Sequence, residues 1–415
     1  MNYNLDQLIY PLISGSRPKG GVSLVGEIPS YGGENISKES QVIHKNVKRI
    51  DMKYFSSMKK GHLKLNDILI NKDGANTGKL AIYNIAPYKL ASVNEHIFIL
   101  RAKEKIIDQL FLFYLLQTKK NIHNIYLSIS GSAQPGLNTK FTKNIPIYLP
   151  TIENQRKIST IIESLTNFIN DIRKKIIKSS NIKKSLYRDL FTSGINNKVM
   201  VHSSIGIIPK DWHITKMSHK DSQITLLDGD RGKNYPKNYE IHETGYCLFL
   251  SAKNISKKGF QLEKSQFINI EKDQKLGSGK LIRDDLIITT RGSVGNIVHY
   301  NNKVSYDQVR INSGMAIIRN NNKKINTNFL FHLMKSEIIN KQIRKETFGS
   351  AQPQLTMEII GNFKIVIPKL EEQLEINNML DSVNDNIFKL ENKLKKFQSM
   401  KESILEELII SKSKE

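Results

Sequence analysis

Two stretches of the chain place apolar residues at alternating steps of four and three. The first carries Ile158, Ile162, Leu165, Ile169, Ile172, Ile176, Leu186 and Leu190, interrupted by the polar slots Ser179 and Lys183. The second carries Ile376, Leu380, Val383, Ile387, Leu390, Leu394, Phe397, Ile404 and Leu408, with Lys401 in the slot that Lys183 fills in the first. A seam sustained this far predicts two long helices, residues 151–193 and 369–415, that pair as a coiled coil rather than cover a surface. At 1.5 Å per residue each seam spans roughly 50 Å. Ahead of each helix the pattern changes. Short apolar runs such as Asp67-Ile68-Leu69-Ile70 and Asp285-Leu286-Ile287-Ile288 end in glycine-containing turns and predict strands. Short apolar helices are predicted near Leu110–Leu116 and Phe329–Met334, then a strand ending in Pro150 or Pro368.

The two halves are copies of one another. Gly131-Ser132-Ala133-Gln134-Pro135 returns as Gly349-Ser350-Ala351-Gln352-Pro353, an offset of 218. The same offset joins Asp67, Gly74, Arg101, Phe111, Phe113, Pro150, Glu153, Gln155 and Ile158 to Asp285, Gly292, Arg319, Phe329, Phe331, Pro368, Glu371, Gln373 and Ile376. Asn35-Ile36-Ser37-Lys38 returns as Asn254-Ile255-Ser256-Lys257 with one residue of slippage. Internal duplication sets the organisation. A mixed α/β domain occupies residues 1–150, a spacer helix 151–193, a linker 194–209, a second domain 210–368 and a second spacer helix 369–415.

Charge narrows the partners. Lys and Arg number 63 against 39 Asp and Glu in 415 residues, a formal net charge of +24. A field that positive attracts polyanions, so double-stranded DNA bound in a salt-sensitive way is the expected partner. The alternative source of the excess is a lysine-rich surface of no specific use. Residues 152–192 hold nine basic and four acidic side chains, and residues 370–410 hold five and nine, so the two helices favour each other over self-pairing. The single cysteine, Cys247, excludes an internal disulfide and a Cys-rich zinc site. Met1–Gly15 lacks the form of a secretory signal, and no apolar run approaches a membrane span. A cytoplasmic protein without membrane contact is expected.

Two variable domains, each followed by Gly-Ser-Ala-Gln-Pro and a long heptad helix, resemble the specificity subunit of type I restriction-modification systems. The Gly206-Ile207-Ile208-Pro209-Lys210-Asp211-Trp212 opening of the second half belongs to the same likeness. The first half lacks that opening, which suggests a slightly shortened first domain. The resemblance covers nearly the whole chain. It implies two α/β target-recognition domains, each reading one half of a split DNA site, and an antiparallel pair of spacer helices. It implies partner methylation subunits, two copies, that bind S-adenosylmethionine, and restriction subunits. It implies no catalytic site in this chain. The competing reading is a stand-alone DNA-modifying enzyme or nuclease with a dispersed active site; a third is a protein-binding scaffold.

Apparent chemical motifs are weak. Gly74–Leu80 has three residues between its glycines where a phosphate-binding loop has four, and Leu80 replaces the magnesium-binding hydroxyl. A turn bringing amides to a DNA phosphate is the better reading. Asp284-Asp285 precedes a strand as nuclease carboxylates do, yet no Glu-x-Lys follows and Asp285 aligns with the turn residue Asp67. The ten histidines show no metal spacing. The repeated pentapeptide reads either as a tight turn or as a DNA contact. Base and phosphate readers are expected on polar loops beside a basic face. In the first half these are Arg17, Lys19, Lys72, Asn76, Thr77, Ser132 and Gln134. In the second they are Arg231, Lys233, Asn234, Thr290, Arg291, Ser293, Gln308, Arg310, Ser350 and Gln352.

Overall fold

The computed structural model describes residues 2–21, 24–131, 135–195, 199–349 and 352–410. The chain divides into two compact units. One is Met1–Lys174 with Glu391–Glu415, the other Lys175–Leu390. Each therefore holds one α/β domain and a stretch of both long helices, Ile152–Ser193 and Leu370–Ile410.

In the first unit an antiparallel four-stranded sheet runs in the order Ile13–Ser14, Ile97–Leu100, Ile68–Asn71, Leu80–Ile82. A three-stranded sheet joins Arg49–Ile50, Ile28–Tyr31 and Ser92–Val93, the last two parallel. The second unit repeats both. Its four strands are Ile224–Asp228, Met315–Asn320, Leu286–Thr289 and Ile297–His299. Its three are Phe267–Ile268, Cys247–Leu250 and Val309–Ile311. The central strands read as unbroken apolar runs because both sheet faces are covered. Ile68 and Ile70 enter the core shared with the helices, whereas Leu69 enters the core shared with Tyr31 and Val93. Leu286 and Ile288 split from Ile287 in the same way.

Each predicted short helix is followed by a second one. Gln109–Leu116 leads to Lys119–Leu127, and Thr327–Lys335 leads to Glu337–Thr347. The strand ahead of each long helix pairs with the start of its own domain: Pro146–Tyr148 with Asn2–Asn4, and Lys364–Ile367 with His213–Lys216. Residues 194–209, expected as linker, contain a hairpin of Met200–Ser203 and Gly206–Pro209. Gly206 takes φ +115°, which suits its turn.

Two buried polar devices recur in both copies. Gln155 accepts from the Asp108 amide and donates to the Ile106 and Pro150 carbonyls; Gln373 does the same with Asn326, Lys324 and Pro368. Asp67 binds Arg101 through two oxygens at 2.6 and 2.7 Å and accepts the Lys64 amide. Asp285 binds Arg319 at 2.8 Å twice and accepts the Ile282 amide. The Asp285 position thus both closes its turn, as expected, and anchors an arginine.

Within each unit the long helices run antiparallel. In the first, Ile158 and Ile162 share a core with Ile404 and Leu405, and the Phe168 and Phe397 rings stand 4.7 Å apart. Lys401 lies over the Tyr114 ring, and burial, helped by the Arg173 charge, lowers its pKa to about 8. In the second unit Leu190 shares a core with Ile376 and Leu380, and Ser179 accepts a hydrogen bond from Asn386. There Tyr187, on the first long helix, bonds His332 Nδ1 at 2.6 Å, and His332 Nε2 meets Asp381, on the second, at 3.0 Å.

Burial depresses the His332 pKa below 6.5, and the Lys335 and Lys183 charges add to this; the Asp381 carboxylate opposes it without prevailing. The unfolded chain therefore binds this proton first. Its contribution is complete above pH 6.5 and is lost as pH falls below that value. His299 and His44 shift in the same direction through burial. Thermal unfolding followed from pH 7.5 to 5.5 is expected to show falling stability, with a shallower slope in His332→Gln. An unchanged slope in that variant would assign the effect elsewhere.

Candidate nucleic-acid interface

In each unit four loops meet at one end of the four-stranded sheet. In the first, the Lys72 amide donates to His96 O (2.9 Å), the Leu137 amide to Lys72 O (2.6 Å) and the Gly74 amide to Pro135 O (3.1 Å). The Gly15 amide reaches Asn94 O at 3.2 Å, and the Ser14 hydroxyl reaches Glu95 O at 3.0 Å. In the second, the Thr290 amide donates to Gly314 O (2.9 Å) and the Leu355 amide to Thr290 O (3.0 Å). These two bonds sit 218 residues from their first-half equivalents at both ends. The loop after the central strand is thereby clipped to the repeated pentapeptide segment in both copies.

A glycine lets the fourth loop close on this corner. A Cβ on Gly15 would fall 1.7 Å from Val93 O and 2.6 Å separates Gly15 Cα from a Cβ on Gly61. A Cβ on Gly229 would fall 2.1 Å from Asn312 O, and one on Gly279 3.2 Å from Gly229 Cα. Gly15-Ser16-Arg17-Pro18-Lys19 and Gly229-Asp230-Arg231-Gly232-Lys233 are thus matching loops, each putting an arginine and a lysine just beyond the close approach. Asp230 accepts the Gly232 amide at 2.7 Å and the Gly277 amide at 2.8 Å, and these bonds hold its carboxyl below the usual range.

The expected contact residues divide sharply. Lys19, Lys233, Arg291, Ser293 and Gln352 are exposed on these loops. Arg17 is exposed and pairs with Glu95 at 2.7 Å; Arg231 is exposed and pairs with Asp228 at 3.0 Å. Lys72 is half-buried over the Phe98 ring, and Gln308 is half-buried. Ser132, Gln134 and Ser350 lie outside the described residues.

Five others have structural duties. Arg310 is 7% exposed and locked by Asp273 at 2.6 Å and by Ser278 O at 2.7 Å, so it is a core ion pair rather than a reader. Burial works to raise the Asp273 pKa, but Lys280 and Arg310 hold it low. Thr290 is buried at the clip. Asn76 donates to Gly33 O and accepts from Lys79; Thr77 donates to Gly74 O and Pro135 O; Asn234 donates to Lys275 O. The Gly74, Thr77, Gly78 and Lys79 amides all bond to carbonyls of the protein, so that turn does not aim them at a phosphate.

What remains exposed is cationic and amide-bearing, the equipment for phosphate and base-edge contact. Among the described residues no cluster of His, Cys, Asp and Glu fits a metal ion. Cys247 is buried, which raises its thiol pKa to about 12 and keeps it unreactive. Among the described residues no helix is long and apolar enough to cross a membrane. Sequence reasoning missed the two glycine corners, because the Gly-x-Arg-x-Lys match runs at an offset of 214. It also missed Phe348, Tyr126 and Leu127, large apolar side chains left 93%, 69% and 68% exposed beside the pentapeptide segments.

A duplicated α/β recognition module, each copy joined to a long helix and bearing a basic loop cluster, defines a DNA-specificity protein. The chain matches the type I restriction modification DNA specificity domain over residues 16–179 and 224–396, and it belongs to that family. It is 29% identical over 356 residues to the type I restriction enzyme MjaVIII specificity subunit of Methanocaldococcus jannaschii, covering 84% of this chain and 79% of the relative. A putative type I specificity subunit of Mycoplasma pneumoniae is 24% identical over 295 residues, 70% of this chain and 68% of its own. The crystal structure of the type I restriction-modification S subunit from M. genitalium shares the fold, with TM-score 0.64 at 14% identity over 99% of this chain and 96% of that one.

Proposed function

We propose that the chain is the non-catalytic specificity subunit of a type I restriction-modification complex and reads an asymmetric, bipartite site in double-stranded DNA, one half per recognition unit. It docks two methylation subunits, which bind S-adenosylmethionine, and restriction subunits, in the cytoplasm. The observation that carries this reading is a four-loop corner built twice around the same two backbone bonds with different side chains. Lys72-Asp73-Gly74-Ala75-Asn76 stands where the other unit has Thr290-Arg291-Gly292-Ser293-Val294, and Ser130 where it has Phe348. Equal scaffolds with unequal loops read unequal half-sites. The relatives' names as specificity subunits support it.

The test is to assemble the chain with its methylation subunits and map the methylated motif. Two different half-sites separated by a gap are expected. A palindrome or an uninterrupted motif would overturn the bipartite reading, and turnover of DNA by the purified chain alone would overturn the non-catalytic one.

A further inference from the structure

We infer that Phe348 reads a thymine methyl group in the half-site of the second unit. The inference rests on the DNA-reading role proposed above. Phe348 is 93% exposed, more than any other large apolar side chain among the described residues. It caps the helix Glu337–Thr347 with extended backbone, φ −64° and ψ 132°, and Gly349 follows in the left-handed region at φ +76°. Seven residues after Phe348, the Leu355 amide donates to Thr290 O, next to Arg291. In the first unit the equivalent residue, Ser130, pairs with Gly136 beside the Leu137–Lys72 bond, and by that correspondence Phe348 is assigned to the corner of Arg291, Ser293 and Gln352. Lys345, in the last turn of its helix, supplies a cation for a flanking phosphate, while Arg344 beside it pairs with Glu337.

An apolar ring held in water at a DNA-facing corner gains only from an apolar patch on the DNA. In the major groove that patch is the C5 methyl of thymine. Insertion as a wedge between base pairs is the use of such rings in the minor groove. The polar neighbours here, a guanidinium, a hydroxyl and a carboxamide, are instead the donors and acceptors that suit major-groove edges. The first unit has Ser130 at this position, so the contact belongs to one half-site only.

The test uses the assembled complex and its mapped motif. Duplexes carry uracil in place of thymine at one position at a time, and binding is compared for wild type, Phe348→Ala and the control Ser130→Ala. With wild type, uracil at one position of one half-site is expected to weaken binding about four- to tenfold. With Phe348→Ala that penalty is expected to vanish, while Ser130→Ala keeps it and non-specific binding stays unchanged. A half-site lacking any A·T pair would overturn the inference, as would an equal uracil penalty in Phe348→Ala. Weakened binding by Phe348→Ala with no uracil penalty in wild type identifies a wedge and likewise overturns it. Failure of the wild-type complex to bind its motif would instead strike the underlying DNA-reading role.

Discussion

Replacing Asp285 by alanine is expected to destabilise the second unit by roughly 3 kcal/mol, the low end of the cost of breaking a buried ion pair. The Asp285 side chain is 1% exposed and its partner Arg319 23% exposed. Removing the carboxylate strands a largely buried guanidinium and frees the Ile282 amide that it accepts. Partial solvation of Arg319 keeps the cost from the top of the range. For a unit of this size the loss corresponds to a fall in Tm of about 6–12 °C. Asp285→Asn keeps the turn acceptor and loses the charge, so its cost is expected to be smaller. Asp285 precedes the strand Leu286–Thr289, and Thr290, buried at the clip, follows it. The variant is thus expected to lose stability without changing the motif read by the molecules that remain folded. A Tm within about 1 °C of wild type would show that the pair contributes nothing net, as some salt bridges do.

The large architecture was legible because the chain states it twice. The heptads and the matched Asp67, Arg101, Gln155 set marked positions whose partners also match, so the frame could be aligned before any contact was known. The exposed loops were harder for three physical reasons. Arg310 reads as a loop cation until the fold brings Asp273, 37 residues earlier, against it. The second short helix, Lys119–Leu127, leaves Ile122, Tyr126 and Leu127 outside, which blurs the helical period. The turn residues of 194–209 signal a break in the helix, and a hairpin uses the same residues. Loop lengths also differ between the two copies. That variation moves Gly15 and Gly229 to an offset of 214 while the sheet keeps 218, and it conceals a corner that space alone dictates.

That corner sets the second large expected effect. Gly229→Ala is expected to abolish specific recognition of one half-site, at least a hundredfold in affinity for the full motif, while leaving non-specific DNA binding nearly intact. The added Cβ would lie 2.1 Å from Asn312 O and 2.5 Å from Asn312 C, both backbone atoms of the strand connection, so no side-chain rotation relieves the clash. Gly279 closes the other side at 3.2 Å. The loop itself must move, carrying Arg231 and Lys233 away from the corner held by Thr290 and Gly314. Overpacking of this kind costs about 1–3 kcal/mol in stability, so the fold is expected to survive. A displacement near 1 Å is enough to break the alignment on which bidentate base contacts depend. Non-specific binding survives because it sums many phosphate contacts over a chain of net charge +24. Gly206→Ala is the matched control: its Cβ meets nothing within 4 Å, its φ of +115° makes it strained without a clash, and it lies in the 200–209 hairpin outside the loop corner. Binding of the mapped motif and of random duplex by complexes carrying each variant decides the point. If Gly229→Ala folds and still binds the full motif as tightly as wild type, the Gly229–Lys233 loop does not read DNA.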